Sequence, residues 1–122
     1  MNKAFEVAQD TLVVEKEGKV VGYNFSTYGK RMPYCNSLDN YLCKEARGLK
    51  NAVMLMMAVI KQAQEKECTR IKSRTPKKDE LGIALWQFMV GDPVGSVGKD
   101  WYWFFSIEGI NTLDDLSRRC KQ

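Results

Sequence analysis

The sequence predicts an α+β domain, with a small, mostly antiparallel sheet (an N-terminal hairpin plus one or two later strands) packed against a long central helix and two shorter helices. Three observations carry this. The chain opens with two β-rich runs around a glycine turn, holds a long helical stripe in its middle, and closes with a dense aromatic run followed by helix-capping residues.

Between Thr11 and Phe25, Leu12-Val13-Val14 and Val20-Val21-Gly22-Tyr23 flank Glu17-Gly18-Lys19, whose glycine supplies the positive φ that a short hairpin loop requires. Ser26 to Asn36 contains Gly29 and Pro33 among polar and aromatic residues and has no period. It reads as a connecting loop, with Tyr28, Lys30, Arg31 and Tyr34 near its tip. Ser37 then offers an N-cap to a helix in which Leu42, Ala46, Leu49, Val53, Met56, Ile60 and Ala63 recur at spacings of four and three. Met54, Leu55, Met57 and Ala58 make the middle of that helix apolar on its other side too, so the helix is either central or covered by a partner.

Thr69 to Thr75 alternates around Ile71 and stops at Pro76, as a short edge strand does. Thr75 as N-cap, Pro76 at the first helical position and Asp79-Glu80 in the first turn open a second helix, with Leu81, Leu85, Phe88 and Met89 as its apolar face. Three glycines and Pro93 between Gly91 and Gly98 end it. Trp101 to Ile107 is an aromatic strand. Asn111-Thr112, with Asp115 in the capping-box position, starts a closing helix that packs through Leu113, Leu116 and Cys120.

At 122 residues, 44% apolar and 28% charged, the chain has the length and hydrophobicity of one folded domain, residues 1–122. Its longest apolar run, Ala52 to Ile60, has nine residues. A bilayer takes about 20, so no membrane partner is expected. The N-terminal residues lack the apolar stretch of a secretory signal, and the expected location is cytoplasmic. Cys35, Cys43, Cys68 and Cys120 include no C-x-x-C pair, which favours buried thiols over disulfides or a metal centre.

Histidine is absent, and with it the commonest general base and the usual nucleophile pairs. Asp10 with Glu17 and Lys19 has a superficial spacing for metal-dependent phosphoryl cleavage, but a glycine-supported turn does not hold ligands in a rigid cluster. Gly98-Lys99 looks like the end of a phosphate-binding loop. There, Pro93 stands where the first glycine belongs, and Asp100 where Ser or Thr belongs. No cofactor is expected, and no enzyme.

Charge is concentrated in one segment. Lys61, Lys66, Arg70, Lys72, Arg74, Lys77 and Lys78 face only Glu65 and Glu67, a surplus larger than the +4 of the whole chain. In a strand Arg70, Lys72 and Arg74 share one face about 7 Å apart, near the phosphate spacing of a single nucleic-acid strand. The same row on an edge strand also guards against sheet-to-sheet aggregation. Lys66, Arg70, Lys72, Arg74, Lys77 and Lys78, extended by Lys30 and Arg31, are the candidates for contact with nucleic acid or a nucleoprotein complex.

In the aromatic run, Trp101, Trp103 and Phe105 share one side, and Tyr102 and Phe104 the other. One side enters the core; the other stacks on bases or buries against a protein. Trp101, Trp103, Met54 and Met57 are the candidates for docking a larger protein, and an open methionine face would also pair two copies as a homodimer. The residues thus point to a small non-catalytic binder of nucleic acid or nucleoprotein, with an adaptor or inhibitor of a larger protein as the alternative.

Overall fold

The computed structural model describes residues 10–29 and 33–120. Lys30 and Arg31 lie outside them. Glu17 and Gly18 both adopt positive φ, 53° and 80°, forming the two-residue loop between β1 (Asp10–Lys16) and β2 (Lys19–Tyr28). The stretch expected to be a loop folds back instead. Tyr34–Leu42 is a third strand, β3, antiparallel to β2. Past Cys35 its inward face carries no apolar alternation, because a polar network takes that place. The Asn24 amide donates to Ser37 Oγ at 2.9 Å and to Asn40 Oδ1 at 2.6 Å, and Ser26 Oγ donates to Asn24 Oδ1 at 2.7 Å. Ser37, expected as a helix N-cap, is therefore a strand residue.

The helix begins later than its stripe suggests. Leu42 ends β3, and Ala46 belongs to a separate 3-10 turn, Lys44–Ala46. The main helix, α1 (Leu49–Glu65), has 17 residues and starts from Gly48. It buries Leu55, Met56, Val59, Ile60 and Ala63 and leaves Met54 and Ala58 outside. After it, β4 (Arg70–Pro76) alternates as expected, with Ile71, Ser73 and Thr75 buried. It is an interior strand, not an edge. Its neighbours are β3, in parallel, and β6 (Asp100–Ser106), antiparallel.

Pro76 ends β4 rather than opening a helix. The second helix, α2 (Glu80–Val90), is capped by Asp79, which accepts a hydrogen bond from the Gly82 N–H at 3.0 Å. Within the glycine-rich segment, β5 (Gly95–Val97) forms the far edge of the sheet. The closing helix, α3 (Leu113–Cys120), has its capping box. The Asp115 N–H donates to Thr112 Oγ1, and Asp115 Oδ2 accepts from the Asn111 and Thr112 N–H groups, all at 3.1 Å. The Asn111 N–H, then the Thr112 hydroxyl, hold the Asp115 carboxyl below the usual carboxylate range.

The α+β class therefore holds, but the sheet is larger than expected and mixed: six strands in the order β1-β2-β3-β4-β6-β5, with β3 and β4 parallel. The core lies on its helix-bearing face, where Cys35, Ile71, Trp103 and Phe105 meet side chains of all three helices. Where β3, β4 and β6 run side by side, the opposite face carries Tyr34, Arg70, Lys72, Arg74, Tyr102 and Phe104, none of them buried. Cys35 and Cys68 are buried thiols, and burial pushes Cys68 up in pKa. No described helix is long and apolar enough to cross a membrane.

Gly22 stands opposite Leu42 where β2 approaches the end of β3. A Cβ there would lie 2.6 Å from the Tyr41 carbonyl oxygen and 2.5 Å from Leu42 Cδ2. A backbone oxygen cannot swing away as a side chain can. Gly22→Ala is expected to destabilise the fold by about 1–3 kcal/mol, read as a lower urea midpoint.

Candidate functional site

β3 and β4 pair only through Tyr34–Ser37 and Arg70–Ser73. Beyond those residues each keeps its outer partner, β3 with β2 as far as Leu42 and β4 with β6 as far as Pro76, but the two no longer pair with each other. The sheet is split there, and the inner-edge backbone groups face a gap where a neighbouring strand would normally accept and donate. Register supplies part of the cause. Leu38 stands opposite no residue of β2, and such a bulge bends its strand.

The gap opens into a cleft of about 1010 Å³, walled by the ends of β3 and β4, the first turns of α1 and the adjoining side of α2. Tyr41, Leu49, Leu81 and Phe88 line it while remaining 44%, 51%, 67% and 45% exposed. Four large apolar side chains gathered around one concavity are the mark of a ligand site rather than of ordinary surface.

One end of the cleft is built for an anion. α1 starts at Gly48 with no side-chain cap and no carboxylate in its first turn. Its first intrahelical bond runs from the Ala52 N–H to Gly48 O at 3.1 Å, so the Leu49, Lys50 and Asn51 N–H groups have no acceptor within the helix. Lys50 sits among them and Arg47 just ahead. The Arg47 Nε donates to Leu42 O at 3.0 Å, and its guanidinium lies 6.0 Å from the Tyr41 ring centre, which fixes the charge at the cleft mouth. The contrast with the other helices is direct. α2 and α3 begin with Asp79 and with the Thr112–Asp115 box, as the macrodipole favours, whereas α1 places cations at its positive end. That arrangement is unfavourable until an anion occupies it. Glu45, in the turn ahead, is held below the ordinary carboxylate range by its own backbone N–H, then by the Cys43 side chain and by Arg47.

At the other rim Arg74 Nε lies 3.4 Å from Asp100 Oδ2. Asp79 and Asp100 are the carboxylates among the described residues that line the cleft, and Asp79 is engaged as the α2 cap.

The expected basic surface is divided. Arg70, Lys72 and Arg74 share the open face, where Arg70 lies over the Phe104 ring at 5.5 Å and Lys72 over Tyr102 at 5.4 Å. Lys77 and Lys66 turn toward the helix side, over Trp101 at 4.7 Å and Tyr28 at 5.9 Å, two rings packed against the core. Lys78 is exposed in the turn after β4.

The expected docking residues do not form one surface either. Trp103 is 1% exposed, stacked on Trp86 at 5.7 Å and donating its Nε1–H to Gly91 O at 3.0 Å. Trp101 is half-buried, Met54 is exposed on the outside of α1, and Met57 is half-buried. Sequence reasoning missed Tyr41, Arg47, Lys50 and Asp100. The available signal was Arg47-Gly48-Leu49-Lys50, a cationic helix start with no capping side chain.

No family model and no curated relative matches the chain. Solved structures do match its fold. PaiA N-acetyltransferase from Thermoplasma acidophilum, in complex with coenzyme A, is similar with a TM-score of 0.73 and 14% identity, covering 79% of this chain and 59% of its own. Nourseothricin acetyltransferase gives 0.66 and 16% over 80% of this chain and 64% of its own. The ribosomal-protein-S18-alanine N-acetyltransferase from Escherichia coli gives 0.66 and 11% over 88% and 80%. The chain thus spans less than two thirds of the length of the first two. These neighbours overturn the expectation of a non-catalytic nucleic-acid or nucleoprotein binder, that of an adaptor or inhibitor, and that of no enzyme. The chain has a GNAT-like acetyltransferase fold.

Proposed function

We propose that the chain transfers an acyl group from a coenzyme A thioester to an amine. The observation that carries this reading is the split between β3 and β4 opening onto the uncapped, cationic start of α1. The residues present suit such a donor. The Leu49, Lys50 and Asn51 N–H groups with Arg47 and Lys50 match phosphate oxygens, Tyr41, Leu49, Leu81 and Phe88 match an apolar arm, and the inner edges of the split strands match its amides. When bound, the thioester supplies the activated acyl group.

The protein's own task is to hold, orient and move a proton. N–H groups on the inner strand edges are placed to donate to a carbonyl oxygen as charge develops on it. As the C–N bond forms and the C–S bond breaks, coenzyme A leaves as its thiolate and the amine must lose a proton, which no histidine is available to take. Asp100, at the rim opposite the anion end, is the carboxylate for that task, and Arg74 orients it at 3.4 Å.

The test incubates the purified chain with acetyl-coenzyme A and a panel of primary amines and peptides while following thiol release. Amine-dependent release is expected, together with calorimetric binding of coenzyme A. Asp100→Asn is expected to lower kcat about a hundredfold with little change in coenzyme A affinity. Absence of both binding and amine-dependent release would end the acyl-transfer reading.

A further inference from the structure

The row Arg70, Lys72 and Arg74 runs along the open face of the sheet and ends at the cleft. Arg74 and its partner Asp100 belong to both, lining the cleft while standing on the face away from the helices. Alternate strand residues are about 6.6 Å apart, so the row extends some 13 Å from the cleft rim. Among the described residues, neither Arg70 nor Lys72 has a carboxylate at ion-pair distance; each has an aromatic ring instead. Arg70 and Lys72 are therefore positive charges with no carboxylate counter-charge among those residues, and Arg74, the partner of Asp100, continues their line to the cleft.

We infer that this face holds the acceptor, and that the acceptor is an acidic polypeptide segment whose amine reaches the cleft while its carboxylates lie along Arg74, Lys72 and Arg70. The inference rests on the acyl-transfer reading for what enters the cleft. Two observations select a polypeptide with acidic side chains. An extended chain carrying acids at every second residue has the same repeat as the row, since both follow strand geometry. On this face the Phe104 and Tyr102 rings already carry Arg70 and Lys72, and Tyr34 meets Phe104 at 79°, so a nucleic acid would have to displace both cations to stack on Phe104 and Tyr102. β4 is hydrogen-bonded on both sides from Arg70 to Ser73, so the segment lies across the face through its side chains and does not add a strand.

The test needs no acyl donor. Fluorescence anisotropy is read with two labelled ten-residue peptides, one carrying glutamate at alternate positions behind a free amino terminus, the other carrying glutamine there. The glutamate peptide is expected to bind about tenfold more tightly at low salt, with the difference shrinking as salt is raised. Arg70→Glu with Lys72→Glu should erase the preference, and Arg70→Gln with Lys72→Gln should reduce it, with melting curves confirming that both variants fold. Equal binding of the two peptides, a preference that survives the charge reversal, or tighter binding of a single-stranded DNA of 20 nucleotides would overturn the inference. Because binding is measured without the thioester, a chain that binds the acidic peptide but transfers no acyl group refutes only the acyl-transfer reading. A chain that transfers acyl groups without charge preference refutes only the acceptor class.

Discussion

Replacing Arg47 and Lys50 together with glutamate is expected to weaken coenzyme A binding at least a hundredfold. A hydrogen bond to a charged group contributes about 1.5–3 kcal/mol. Losing two, and setting carboxylates against phosphates, removes about 3 kcal/mol or more, and every 1.4 kcal/mol is tenfold in affinity. At Lys50 the loss falls on the ligand and not on the fold. Lys50 stands in the first turn of a helix whose start has no capping side chain, so Lys50→Glu alone exchanges an unfavourable charge for one the macrodipole favours. That single variant is expected to stabilise the unliganded protein by about 0.3–1 kcal/mol. Arg47→Glu also gives up the bond to Leu42 O and the Tyr41 contact, so its effect on stability is the less favourable of the two. Calorimetric titration with coenzyme A and thermal melting of the free protein read the two effects separately. Opposite signs, weaker binding with a higher melting temperature for Lys50→Glu, identify a residue kept for a ligand at some loss of stability. If Lys50→Glu binds coenzyme A as tightly as the parent, the start of α1 is not its phosphate site.

Trp103→Ala is expected to cost about 3–5 kcal/mol, a large share of the 5–15 kcal/mol that holds an ordinary domain together. The side chain is 1% exposed and joins β6 to α2 twice, by stacking on Trp86 and by donating to the carbonyl of Gly91, where that helix ends. Its removal leaves a cavity between sheet and helix and takes the indole partner from that carbonyl. Trp103→Phe keeps much of the volume and loses the donor, so it should fall between alanine and the parent in urea unfolding. Met54→Ala, on the exposed side of α1, should change stability by no more than about 0.5 kcal/mol. Near-equal urea midpoints for Trp103→Ala and Met54→Ala would contradict the placement of the indole in the core. Since α2 also walls the cleft, the alanine variant should lose ligand binding in step with its fold.

The parts of this chain that were legible in its residues are those whose physics is local. A glycine at a positive-φ turn, an apolar repeat of three and four across Val53, Met56, Ile60 and Ala63, period-two alternation from Arg70 to Thr75, and a Thr112–Asp115 cap each act within a few residues of one another. β3 was not legible. The strand hides its inward face behind the Asn24, Ser26, Ser37 and Asn40 hydrogen bonds, and hydrophobic periodicity does not register a face satisfied by polar groups. With β3 unseen, β4 looked like an edge, and its cations suggested a ligand surface in their own right.

By themselves the residues determined the α+β class, most of the hairpin, the buried side of α1 and the outward row of cations. The tertiary structure alone decided that β3 and β4 run parallel, that they part after four residues each, and that Arg47 and the start of α1 line one cleft with Arg74 and Asp100. The physical reason is distance along the chain. The groups meeting at the cleft are brought together by strand pairing over more than 30 residues of sequence, and such pairing depends on where each strand finds its partner, which no local pattern of residues records.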